Sequence, residues 1–143
     1  MILPKIAVTM GDPAGIGPEI CLRLLQDKEI AQICTPIIFG SISVLEQTAR
    51  RCRLAKPDKI IAGLSEVDAP CVLDIRAIGL NDFATGTINA ATGQASFNYI
   101  ENAINAALSG QISAVTTAPI NKEALYAAGI PFPGHTEIFA VKT

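Results

Sequence analysis

The sequence predicts an α/β fold with a largely parallel sheet, running through residues 1–143 with no internal domain boundary. Short apolar runs alternate with longer amphipathic stretches, in the order strand, helix, strand, helix. A chain of 143 residues that is 50% hydrophobic and 17% charged, with a mean hydropathy of +0.39, carries enough apolar material for one buried core. No internal repeat, low-complexity tract or linker interrupts that pattern.

Lys5–Met10 reads as a buried strand that enters a glycine-rich turn and then a helix from about Pro18. Proline suits a first helical turn because its missing N–H has no partner to lose there. Glu19 follows where the helix dipole favours a carboxylate. Ile20, Cys21, Leu24 and Leu25 give that helix its expected apolar face. Thr35–Gly40 is a second strand and Ser43 to about Cys52 a second helix. Lys59–Ala62 and Cys71–Ile75 are short strands around a Ser65–Pro70 turn, and 79–86 is loop. The longest helix spans about Ala91–Leu108, with Phe97, Ile100, Ile104 and Leu108 on one stripe and Gly110 as its stop. Ile112–Thr116 is a strand, Asn121 caps a short helix ending at Gly129, and Thr136 is the expected N-cap of a last helix over Glu137–Lys142. That helix gains only about two turns before the sequence stops, which reads as a fold incomplete at its C-terminus.

The charge balance excludes some partners. Eleven Lys plus Arg against thirteen Asp plus Glu give a net charge of −2, and the densest basic run is Arg50–Arg51–Cys52–Arg53. A helix C-terminus favours such cations, so no nucleic-acid footprint is implied. The four cysteines, at 21, 34, 52 and 71, form no C-x-x-C pair and have one histidine for company. They read as free, buried thiols in a reducing compartment, neither a metal site nor a disulfide framework. With no membrane span and no signal-peptide pattern, the expected location is the cytoplasm.

Three segments can carry chemistry. Gly11–Glu19 (GDPAGIGPE) links strand to helix. Such a loop can aim backbone N–H groups at a phosphate or carboxylate, or it can be a tight turn with glycines at positive φ. It matches neither the dinucleotide fingerprint nor a P-loop. Thr116–Glu123 (TTAPINKE) leaves the carboxyl end of a strand, the ligand-binding edge of an open α/β sheet. Its Lys122 either neutralises an anionic substrate or is simply solvated. In Phe132–Glu137 (FPGHTE), His135 is the one histidine of the chain. It can hydrogen-bond a hydroxyl or carboxylate, or be a solvated loop imidazole.

The strings VTMGDPAGIGPE, TTAPINKEAL and GIPFPGHTE together closely resemble the 4-hydroxythreonine-4-phosphate dehydrogenase (PdxA) family, and the likeness runs from Lys5 onward. The resemblance implies a fold similar to isocitrate and isopropylmalate dehydrogenases, with two α/β domains, a cleft between them and a homodimer. It implies oxidation of the C3 hydroxyl of 4-(phosphooxy)-L-threonine by NAD or NADP, followed by decarboxylation. It places His135 and Thr136 at the substrate, a small phosphorylated hydroxy acid. It also implies a divalent metal (zinc, magnesium or cobalt) on three histidines, all beyond Thr143, so that no metal ligand falls in this sequence. The sequence is less than half of a typical member. Paralogues acting on D-threonate or D-erythronate 4-phosphate share the pattern, and a non-catalytic truncated α/β fragment is the reading from another class.

Overall fold

The computed structural model describes residues 2–143. Its strands are β1 (Lys5–Thr9), β2 (Thr35–Gly40), β3 (Ile60–Ile61), β4 (Cys71–Asp74) and β5 (Ala114–Thr117). Its helices are α1 (Gly17–Leu25), α2 (Lys28–Ile33), α3 (Ile42–Cys52), α4 (Ala90–Leu108), α5 (Lys122–Ala127) and α6 (His135–Lys142). The sheet runs β3–β4–β2–β1–β5, and every pairing is parallel, as the alternation predicts.

The central strands read as continuous apolar runs because helices cover them on both faces. Ala7, Ile37, Ile38, Phe39, Cys71 and Val72 are fully buried. After β1 the chain crosses to β2 through α1 and α2, whereas after β4 it crosses through α4 to β5, on the far side of β1. Right-handed crossovers in opposite directions put their helices on opposite faces. α1 packs with α3, and α4 spans β1, β2 and β5.

Helix ends follow their local chemistry. Asn89 caps α4 by accepting from the Thr92 N–H at 2.9 Å, and Gly110 just beyond its end has φ +78°. Asn121 caps α5 by accepting from the Ala124 N–H at 2.9 Å. α2 escapes the sequence pattern because its six residues bury nothing. It is held by Asp27, whose carboxylate accepts from the N–H groups of Glu29 and Ile30. The basic run ends α3, with Arg50 and Arg51 in its last turn and Arg53 in the left-handed region at φ 55°.

Four sequence expectations need correction. On α1, Cys21 is buried and Leu24 and Leu25 pack half-buried against the core as expected, but Ile20 is 41% exposed and Gly17, Pro18 and Leu22 are buried instead. Nearly every residue of this nine-residue helix is apolar, so periodicity alone leaves its rotation open. Leu108 is exposed and leaves the α4 stripe, because the helix outruns the elements that cover it. Of the thiols, Cys21 and Cys71 are buried and Cys34 and Cys52 half-buried, all four free. Burial pushes the Cys21 thiol up to about 12 and the Cys71 thiol up to about 11, so neither is reactive. Lastly, α6 begins two residues early, with Gly134 as N-cap and Thr136 inside the helix. No helix among the described residues is long and apolar enough to cross a membrane.

α4 serves two cores. Ala95, Tyr99, Ala103 and Ala106 face the main core, while Ile100 and Ile104 join Ile138 of α6 in a second cluster. Gly93 lets α5 approach: a Cβ there would sit 2.0 Å from the Ala124 carbonyl oxygen. In the main core Ser41 Oγ donates to the Ile75 carbonyl at 2.6 Å and lies 2.6 Å from the Tyr99 hydroxyl. The serine proton is committed to Ile75, so Tyr99 donates to Ser41. Removing the middle of this relay leaves the buried Tyr99 hydroxyl without an acceptor, although the Ile75 carbonyl keeps the Ala77 N–H at 2.8 Å, and removing the outer donor orphans none. Ser41→Ala is therefore expected to destabilise the fold by about 1–3 kcal/mol and Tyr99→Phe by about 1 kcal/mol. Chemical denaturation of both variants checks the order, and Tyr99→Phe being the more damaging would refute the relay.

Candidate functional site

β1 lies between β2 on one side and β5 on the other, so the sheet reverses its order there. Open α/β sheets bind ligands at such a switch point, outside the carboxyl ends of the strands. Two of the three chemically interesting segments meet there. The Ala118 N–H donates to the Thr9 carbonyl at 2.9 Å, and the Asp12 N–H donates to the Pro119 carbonyl at 2.9 Å. The glycine loop after β1 is thus strapped to the segment after β5.

That loop is packed against itself and its neighbours. The Ala14 N–H donates to Asp12 Oδ1 at 2.9 Å and the Gly15 N–H to the Asp12 carbonyl at 3.0 Å. The Gly86 N–H reaches the Ala14 carbonyl at 2.8 Å. Gly11 has φ +74°, and a Cβ there would lie 2.3 Å from the Pro119 oxygen. A Cβ on Gly17 would lie 2.0 Å from the Met10 oxygen. Of the two sequence readings, the tight turn describes this loop, although Gly11 alone among its glycines needs a positive φ. Gly17 is required for close approach.

Two polar groups here gave no sequence signal beyond their residue type. Asp12 is 9% exposed, and burial raises its carboxyl above the ordinary value, outweighing the opposing bond from Ala14. Thr9 Oγ1 at the end of β1 is buried and has no partner among the described residues. The Asp12, Ala14 and Gly15 amides are committed, while those of Gly11, Ile16, Gly17 and Glu19 have no partner among the described residues; the buried Asp12 carboxyl beside them would oppose a pyrophosphate. Lys122 opens α5 as an exposed side chain, with no ion pair among the described residues.

His135 and Thr136 are placed by a different route. Ile138 anchors α6 against Ile100 and Ile104 of α4, with Phe97 and Phe132 stacked beside them at 6.1 Å between centroids. Lys142 adds an ion pair to Glu101 at 3.0 Å and lies 5.5 Å over the Phe97 ring. His135 and Thr136 are therefore the first and second residues of a docked helix, and among the described residues no hydrogen bond joins them to the switch-point loops. The cap expected of Thr136 is absent, since an extended Gly134 starts the helix without a side-chain cap. Thr136 is exposed and its hydroxyl carries no capping duty. The N–H groups of His135, Thr136 and Glu137 have no partner among the described residues. The His135 ring is half-buried, and burial lowers its pKa. A neutral imidazole, a hydroxyl and a helix N-terminus can together hold an anionic group. The Glu137 carboxylate, close to Gly134, is the one opposing charge in that turn.

Comparisons with known proteins agree with this architecture. A sequence model of the family described as "Pyridoxal phosphate biosynthetic protein PdxA" matches residues 32–143. A Symbiobacterium thermophilum protein, provisionally named a D-threonate 4-phosphate dehydrogenase, is 40% identical over 98% of this chain and 43% of its own length. A Synechocystis protein named 4-hydroxythreonine-4-phosphate dehydrogenase is 39% identical over 98% of this chain and 39% of its own length. A crystal structure of a 4-hydroxythreonine-4-phosphate dehydrogenase from Burkholderia phymatum superimposes with a TM-score of 0.90 at 36% identity, covering 99% of this chain and 44% of that one. The chain spans about two fifths of the length of the curated relatives it matches. With its fold, its ordered motifs and its family match in agreement, the chain belongs to the PdxA family of pyridoxal phosphate biosynthetic proteins.

Proposed function

We propose that this chain supplies substrate-binding residues to a cytoplasmic, homodimeric dehydrogenase acting on 4-(phosphooxy)-L-threonine. The reaction oxidises the C3 hydroxyl with NAD or NADP, giving 2-amino-3-oxo-4-(phosphooxy)butanoate. That acid loses carbon dioxide to give 3-amino-2-oxopropyl phosphate, on the route to pyridoxal 5'-phosphate. The observation that carries the reading is the start of α6, where His135, Thr136 and unpartnered amides converge on one turn. Such a turn suits an acid that carries a phosphate.

D-threonate 4-phosphate is the second reading, favoured by the name of the Symbiobacterium relative. It offers the same carboxylate, secondary alcohol and phosphate, with a hydroxyl in place of the amine at C2.

The metal that the resemblance implies does not fit these residues. Among them no group of three or more His, Cys, Asp or Glu side chains could hold an ion. The nicotinamide nucleotide, the hydride acceptor when bound, would not find the dinucleotide fingerprint in the Gly11–Glu19 loop, where Gly11 and Gly17 serve close packing and the buried Asp12 carboxyl would oppose a pyrophosphate. The role proposed for this chain is therefore to bind and orient the substrate.

The 143-residue chain alone, mixed with 4-(phosphooxy)-L-threonine, NAD or NADP and zinc, magnesium or cobalt, is expected to give no turnover. Metal-dependent reduction of the nucleotide by a chain of verified mass would contradict this. In a complete enzyme carrying this sequence, His135→Ala is expected to lower kcat/KM about tenfold to a hundredfold, the worth of a hydrogen bond to a charged ligand. Thr136→Ala is expected to lose activity with little change in Tm, since it caps nothing, and Thr136→Ser to keep most of it. Unchanged kinetics in His135→Ala, or equal losses in the two Thr136 variants, would move the substrate site elsewhere.

A further inference from the structure

Every conventional donor in the first turn of α6 points to one kind of ligand, and the His135 ring decides whether it belongs to that set. Its Nε2 is buried and has no hydrogen-bond partner among the described residues. Nδ1 also lacks a protein partner but is not among the buried unpaired atoms, so it is the nitrogen open to solvent. A neutral imidazole carries one N–H and one lone pair, and its surroundings set which nitrogen holds the proton. Buried N–H groups without an acceptor are rarer than buried acceptors short of a donor. The proton therefore belongs on Nδ1, and a second proton on Nε2 would put an unpaired N–H into the interior.

We infer that His135 is a neutral Nδ1–H donor that binds an anionic oxygen of the ligand, and that its lone pair on Nε2 is turned inward and cannot act as a base toward a substrate hydroxyl. The direction in which burial moves its pKa agrees. So do the neighbouring groups. The amides of His135, Thr136 and Glu137 are free donors, and the Thr136 hydroxyl is exposed and able to donate. A phosphate or carboxylate accepts hydrogen bonds and gives none, which matches a set of donors. The choice of ligand rests on the substrate reading above, while the tautomer is a property of the chain itself.

The sequence makes the test direct, because His135 is its one histidine. Two-bond 1H–15N correlation on chain labelled at histidine reads both ring nitrogens near pH 7 with no assignment problem. The expected result is a protonated-type shift at Nδ1 and an unprotonated-type shift at Nε2. A solvated imidazole prefers the opposite, Nε2–H form. Observation of that form, of a rapidly averaged mixture or of the imidazolium would overturn the inference. Titration with inorganic phosphate in one arm and D-threonate in the other then distinguishes the two anionic ends of the ligand. A shift confined to Nδ1 is expected, from phosphate if the turn holds the phosphate and from D-threonate if it holds the carboxylate. An Nδ1–H tautomer that responds to neither anion would overturn the substrate reading and leave the tautomer assignment standing.

Discussion

The structure depends on the strap between the carboxyl ends of β1 and β5. Two backbone bonds, Ala118 N–H to Thr9 and Asp12 N–H to Pro119, continue the pairing past the last ladder residues. They hold β5 on the side of β1 opposite to β2, which is where the sheet changes direction. Without that reversal α4 would have no reason to cover the second face. The close approach is steric as well as hydrogen-bonded, since Gly11 and Gly17 stand where any side chain would collide with backbone. Hydrogen bonding and excluded volume enforce the same geometry, and that agreement between levels is what specifies a single structure.

α4 carries the consequence outward to the candidate substrate site. One face of the helix completes the core under the sheet, with Tyr99 reaching Ser41 at the end of β2. The other face receives α6 through Ile100, Ile104 and Ile138. His135 is therefore positioned by packing at second hand, from sheet to α4 to α6. The chain puts tightly packed backbone at the switch point and exposed hydrogen-bonding capacity at the start of α6. A binding turn on a docked helix is more precisely placed than one on a free loop.

Much of this was legible in the sequence, for physical reasons that differ by element. Thr35–Gly40 forms a strand over its expected span because an apolar run between a loop and a serine leaves few alternatives. Gly110 and Asn121 act through local backbone chemistry, which sequence carries directly. The rotation of α1 was not legible, because which of Ile20 and Leu22 faces inward depends on where α3 lies. Thr136 departs from its expected capping role for a related reason. A threonine before a polar–apolar run is a good cap in isolation, but the docking of Ile138 draws the helix back to Gly134. The family motifs GDPAGIGPE and FPGHTE stand out as strings, yet two glycines of the first, Gly11 and Gly17, are there for close packing. Only the contacts of Gly11, Asp12 and Gly17 reveal that.

Native-state hydrogen exchange at the amides of Asp12 and Ala118 tests the strap most directly. Bonds that hold the sheet reversal should open only when the whole domain unfolds, so their opening free energies should match the global value within about 1 kcal/mol. They should also fall with denaturant along the same slope as the amides of the β1–β2 ladder. Exchange of either amide by a local opening, while the β1–β2 amides stay protected, would show that β5 and its loop are an appendage and would contradict the account.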